Sequence, residues 1–177
     1  METFANVPTG EFSNYPLHNA ARKGNVDEVR RLLEAGHDAN ELGENNWTPM
    51  HHAATGTKDA SDEAHRKIID LLVKHGADLN ARDHEQETPL HKAAYSGRYR
   101  LFLRLHALGA DHSAVTRKGD TPLHTAAVKG SLAAAAALLR LGADVHALNN
   151  DGKKPHEAGD GRSGVVKMLK AHIKVNG

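Results

Sequence analysis

Thr121-Pro122-Leu123-His124-Thr125-Ala126-Ala127, followed by Leu138-Leu139 and then Gly142-Ala143-Asp144, is the stretch that decides the fold. Thr is a helix N-cap, and Pro at the first helical position loses no hydrogen bond, since that N–H has no partner in a helix. The paired alanines let a neighbouring helix approach closely. Gly130 ends the first helix with a positive-φ residue. A second helix turns Leu138 and Leu139 inward, and Gly142 breaks it to begin a projecting, hairpin-like loop.

Read outward in both directions, the pattern recurs. Thr88-Pro89-Leu90-His91 precedes Ala93-Ala94, and Thr48-Pro49-Met50-His51 precedes Ala53-Ala54. Tyr15-Pro16-Leu17-His18 precedes Ala20-Ala21, and Lys154-Pro155 opens an eroded last copy. Of the four intervals between Pro16, Pro49, Pro89, Pro122 and Pro155, three are identical and only the second is longer. The closing motif returns as Gly36-His37-Asp38, Gly76-Ala77-Asp78 and Gly109-Ala110-Asp111. A period of this length marks a stacked repeat array, in which no unit buries its apolar face alone.

In these motifs, their order and their period, the sequence resembles the ankyrin-repeat family. The likeness covers residues 14 to 174. It implies an all-α repeat fold, a solenoid of helix-turn-helix units with projecting β-hairpin-like loops. The expected organisation is an N-terminal extension over 1–13 and a repeat domain over 14–177. Its repeats lie at about 15–47, 48–87, 88–120 and 121–153, with a capping partial repeat at 154–174.

Departures from the period carry their own expectations. Repeat two is longer than its siblings, placing a polar inserted loop at about 57–63, a neutral surface loop or an added contact element. Val165, Val166, Met168 and Leu169 form the apolar face of a terminal cap, whose other side is polar. Asp27, Glu28, Arg30 and Arg31 likewise make the outer side of the first repeat wet. Arg104 and His106 replace apolar residues, and Ala133 to Ala137 predict thin packing in repeat four.

The totals exclude several classes. The 177 residues include no cysteine, which removes disulfides, thiolate nucleophiles and cysteine-ligated zinc. The formal charge of +1 gives no general attraction to nucleic acid or anionic membrane. No apolar run approaches the roughly 20 residues that cross a bilayer, and Met1 to Pro16 does not read as a signal peptide. An intracellular, cytoplasmic protein, monomeric when unbound, is expected.

Fourteen histidines invite a metal reading. Four of them, His18, His51, His91 and His124, hold the motif position, where the resemblance implies hydrogen bonds to the backbone of the neighbouring repeat. The others are scattered, and zinc needs three or four ligands converging at about 2 Å. His37, His75, His112 and His146 lie near successive loops, where a stack is conceivable. No metal site and no cofactor is expected.

The family resemblance implies a cupped binding face of loops (fingers) and first helices (palm). By register, the first finger offers Leu42, Glu44, Asn45 and Trp47. The second offers Arg82, His84, Glu85 and Glu87, and the third Val115, Arg117, Lys118 and Asp120. The fourth offers Leu148, Asn150, Asp151 and Lys153. The palm offers Arg22, Lys23, Thr55, Tyr95, Ser96, Val128 and Lys129, with Asn19, His52, Lys92 and Thr125 also facing the groove. Trp47, the single tryptophan, is either a binding anchor or a cover over the first repeat junction. Tyr95, with Tyr99 and Arg98, marks a second anchor.

A protein–protein interaction module, whether scaffold, adaptor or inhibitor, follows from this reading. A rival is a substrate whose loop asparagines, Asn40 and Asn80, resemble ankyrin asparagines that are hydroxylated. No phosphate loop, nucleophile elbow or cysteine nucleophile occurs, so no enzyme activity and no catalytic residues are expected.

Overall fold

The computed structural model describes residues 15–57, 59–159 and 163–176. The N-terminal extension, 1–13, and Lys58 of the insertion lie outside the described residues. The chain divides into two compact units, one ending at Asp78 and one beginning at Leu79.

In the first unit, α1 (Pro16–Lys23) and α2 (Val26–Glu34) pair with α3 (Pro49–Thr55) and α4 (Asp62–Lys74). First helices pack on first helices and second on second, α1 on α3 and α2 on α4. Leu17, Val29, Met50, Ile68, Ile69 and Leu72 are withdrawn completely from solvent between them.

The second unit repeats the arrangement. Its first helices are α5 (Pro89–Ser96), α7 (Pro122–Lys129) and α9 (Pro155–Ala158), packed in that order. Behind them stand α6 (Tyr99–Ala107), α8 (Leu132–Arg140) and α10 (Gly164–Asn176). Leu90, Leu101, Phe102, Leu105, Leu123, Leu138 and Leu169 fill the core. Each such side chain contributes about 1.5–3 kcal/mol by leaving water. The alanine pairs Ala93-Ala94 and Ala126-Ala127 are buried where α5 meets α7. Any larger side chain there would force the helices apart.

Proline opens every first helix, and α1, α5 and α7 end at a left-handed glycine, with Gly130 at φ 72°. Where threonine precedes the proline it acts with histidine. Thr88 Oγ1 accepts from the His91 N–H at 3.5 Å, while His91 Nδ1 accepts from the Thr88 N–H at 3.2 Å. In the eroded last copy Glu157 replaces that histidine, and its carboxylate accepts from the Lys154 N–H at 2.8 Å.

One sequence expectation is corrected. The insertion is not wholly a loop: Ser61 accepts from the Ala64 N–H at 3.1 Å, and helix α4 starts at Asp62. Part of the apparent insert therefore lengthens a helix, and its acidic first turn suits the helix dipole. Val165, Val166 and Leu169 of the terminal cap are buried, and Met168 is half-buried in a groove it shares with Ala136 and Leu139 of α8. Within the alanine run, Ala134, Ala135 and Ala137 are buried with Leu138, while Ala133 is exposed and Ala136 half-buried.

Candidate functional site

The motif histidines set the fingers relative to the helices. His91 Nε2 lies 3.1 Å from the Asp120 carbonyl and His124 Nε2 lies 3.0 Å from that of Lys153. A carbonyl only accepts, so Nε2 carries the proton. The Nδ1 atoms of His51, His91 and His124 accept instead from the N–H groups of Thr48, Thr88 and Thr121. For His91 and His124 both contacts together fix the neutral Nε2–H tautomer. Burial pushes His91 down to about 4, outweighing the carbonyl hydrogen bond, so it stays neutral near pH 7.

Each finger in the second unit is closed by one rule. Asp83, Thr116 and Asn149 hold the same position in successive repeats, and each side-chain oxygen accepts two backbone N–H groups of its own turn. The backbone then crosses the turn, as Asp83 N–H to the Glu87 carbonyl at 3.0 Å. Gly119 and Gly152 take positive φ in the last two turns, and Gln86 takes φ 62° in the first.

Neighbouring fingers are stitched together. The Arg117 N–H donates to the Glu85 carbonyl at 2.8 Å and the Asn150 N–H to that of Lys118 at 2.9 Å. The Arg117 guanidinium donates to the His84 carbonyl, and Arg82 donates to that of Val115 at 2.7 Å. Register assigns Arg82, Arg117 and Asn150 to partner reading. In the structure their polar groups join finger to finger, each donating to a backbone carbonyl of the neighbouring loop.

Below these fingers the second unit holds a cleft of about 310 Å³. Tyr95 and Val128, 50% and 55% exposed, are its apolar part. Glu85, Glu87, Lys118 and Asp120 line the finger side, with Thr116 and Thr125 completing it. Lys92 ties the finger to the palm, its ammonium 2.8 Å from the buried Asp83 carboxylate and also paired with Glu87. Burial alone would raise the Asp83 carboxyl. The Lys92 hydrogen bond, with those from the Glu87 and Glu85 N–H groups, holds it below the usual range. Lys129 rests its ammonium 3.9 Å from the centre of the Tyr95 ring. Ser96, the last residue of α5, is half-buried and does not line the cleft.

In the first unit Trp47 is half-buried, its ring centre 4.9 Å from that of His52 and 5.9 Å from that of His51. The tryptophan covers the repeat junction. His52 does not point outward as its position suggests. It is 8% exposed, and burial, with the nearby positive or protonatable His18, His51 and Arg22, pushes it down to about 3. Thr125 in the second unit is equally buried. Leu42, Glu44 and Asn45 stand exposed on the first finger, and Val115 and Leu148 on two later ones.

Asn40 is engaged at both ends of its amide, accepting from the Asp78 N–H at 2.7 Å and donating to the Gly76 carbonyl at 2.9 Å. Asn80 accepts from the Asp111 N–H at 2.8 Å. Both link successive loops within their unit. Among the described residues no cluster of three or more histidine, cysteine or carboxylate side chains has the geometry to hold a metal. Nor is any helix there long and apolar enough to cross a membrane.

The comparisons with known proteins agree with the repeat geometry. A family model for ankyrin repeats matches three times, over residues 3–83, 58–149 and 90–176. Cyclin-dependent kinase 4 inhibitor B of mouse is 35% identical over 98 residues, which is 55% of this chain and 69% of that protein. Its counterpart in cattle is 37% identical over 91 residues, 51% of this chain and 63% of that protein. Human 2-5A-dependent ribonuclease is 35% identical over 89 residues, half of this chain but only 11% of the ribonuclease. Repeats, capping boxes and family match together place this chain in the ankyrin-repeat family.

Proposed function

We propose that the chain is a protein-binding module whose second unit engages its partner through the cleft between fingers and first helices. The observation that carries this reading is the pairing of exposed Tyr95 and Val128 beneath polar finger residues. Aromatic side chains in a concave, partly apolar surface are the usual anchors of binding energy. Leu90, Leu123 and the alanine pairs of the same two helices are fully buried, whereas these two side chains stay about half open to solvent.

The mode of action we favour is occupation of a partner surface, as scaffold, adaptor or inhibitor. Two relatives bear the name of a kinase inhibitor, which supports the inhibitor variant. The named activity of the ribonuclease is not carried over, because the likeness touches only 11% of that protein. Catalysis, nucleic-acid binding and membrane attachment form no part of the proposal. A monomer acting inside the cell does.

Asparagine hydroxylation is the weaker reading. Asn40 already uses both its amide groups within the structure. The test of the main reading is affinity capture from source-cell extract by the native chain and by a Tyr95→Ala, Val128→Glu variant of unchanged circular dichroism. Loss of the captured protein from the variant alone supports the cleft. Equal capture removes the site from it.

A further inference from the structure

We infer that the cleft of the second unit receives a cationic side chain, arginine or lysine, presented by the partner. This rests on the binding reading above and specifies what enters the site. The cleft is amphipathic in the same sense as such a side chain. Tyr95 and Val128 form an apolar strip that suits its methylene stem, and carboxylates face its charged head on the finger side.

The charges favour a cation over an anion. The charged side chains that line the cleft are the carboxylates Glu85, Glu87 and Asp120 against the one ammonium of Lys118, a formal surplus of two negative charges. Including Lys129, which lies over Tyr95, the surplus is still one. Lys92 is committed to Asp83 and Glu87. Asp120 is held in place by the Asn149 amide at 2.7 Å, a neutral donor that does not cancel its charge. Glu85 is paired with the imidazole of His84, 3.3 Å away and exposed like Glu85 itself. Glu85 and Asp120 are therefore the carboxylates that meet the incoming head group.

Lys129 already holds its ammonium over one face of the Tyr95 ring, so the incoming head group is directed to the carboxylates on the finger side. An incoming guanidinium brings a planar fork of donors for the two carboxylates.

The test uses the full chain, labelled with nitrogen-15, and two acetylated, amidated pentapeptides. One is Gly-Leu-Arg-Leu-Gly. The other carries citrulline, the neutral isostere, in place of arginine. The arginine peptide is expected to shift the amide signals of Glu85, Tyr95, Asp120 and Val128 and to bind about two- to fivefold more tightly than the citrulline peptide, the range of one partly solvated ion pair. In Glu85→Gln, which removes the carboxylate and touches only the surface pair with His84, that preference is expected to shrink.

Equal binding of both peptides in the cleft overturns the cationic assignment while leaving the cleft a binding site. So does an unchanged preference in Glu85→Gln for the role of that carboxylate. Shifts elsewhere, or none at millimolar arginine peptide, overturn the inference as well. The cleft reading itself fails only if the Tyr95→Ala, Val128→Glu variant keeps the captured partner.

Discussion

His18 Nε2 lies 2.9 Å from the Trp47 carbonyl, so the first repeat grips the chain at the residue whose indole covers the junction with the second. The other ring nitrogen of His18 has no threonine beside it, because Tyr15 stands where Thr48, Thr88 and Thr121 serve the later histidines. Glu41 lies 3.9 Å away instead. The tryptophan is thus held at both its backbone and its ring, which makes it part of the fold.

Trp47→Ala should accordingly destabilise the chain, by about 2–4 kcal/mol for removing a large, half-buried ring. Urea unfolding followed by circular dichroism measures it. A loss no larger than that of an ordinary surface substitution, about 0.5 kcal/mol, would return Trp47 to the category of a free surface anchor.

His124→Ala removes a ring that accepts from Thr121 and donates to the Lys153 carbonyl. The Thr121 N–H is then left without its acceptor and the Lys153 carbonyl keeps only the Asn149 N–H, so a loss of about 1–3 kcal/mol is expected. Unfolding midpoints at constant slope would show it, and a neutral result would contradict the lock.

Stability should fall on acidification. His52 and His91 are held down to about 3 and about 4, and burial lowers His18 in the same direction. The unfolded chain binds protons at these sites near pH 6.5, while the folded one does so only lower. Their contribution is therefore complete above about pH 6.5 and lost progressively as the pH drops through 4 towards 3. Urea midpoints at pH 7.5, 5.5 and 4.5 should decrease in that order. A midpoint independent of pH would contradict the neutral assignment.

Gln86 holds φ 62° at the turn position where the next two fingers have Gly119 and Gly152. The left-handed region costs a residue with a side chain about 1 kcal/mol or more. Its side chain returns only a long hydrogen bond of 3.5 Å to the Asp83 carbonyl. Gln86→Gly should therefore stabilise the chain by about 0.5–1 kcal/mol in the same unfolding assay, and a destabilisation would mean that contact matters more than the strain.

The helical repeat was legible because each of its devices is local. Threonine, proline and histidine close together determine a helix start, and the return of the proline at one interval in three cases of four announces the repeat. The start of α4 at Ser61-Asp62-Glu63 was written in the same terms, a cap followed by acids, but a polar run between two helices reads first as a loop. Finger residues were harder. Arg82 and Arg117 look like free charges in the sequence, since their acceptors are backbone carbonyls of the neighbouring repeat that no side-chain pattern displays. A usable signal was the column Asp83, Thr116 and Asn149, three residues able to close a turn. The cleft was partly legible, because register alone left Glu85, Glu87, Tyr95, Lys118, Asp120 and Val128 unexplained by folding. That Tyr95 and Val128 form its apolar strip depends on packing in three dimensions.

The most direct measurement is a calorimetric titration of the captured partner against the native chain and against the folded Tyr95→Ala, Val128→Glu variant. The variant is expected to bind at least tenfold more weakly, with its unfolding midpoint nearly unchanged. Equal affinity for the two proteins would contradict the cleft of the second unit as the binding site.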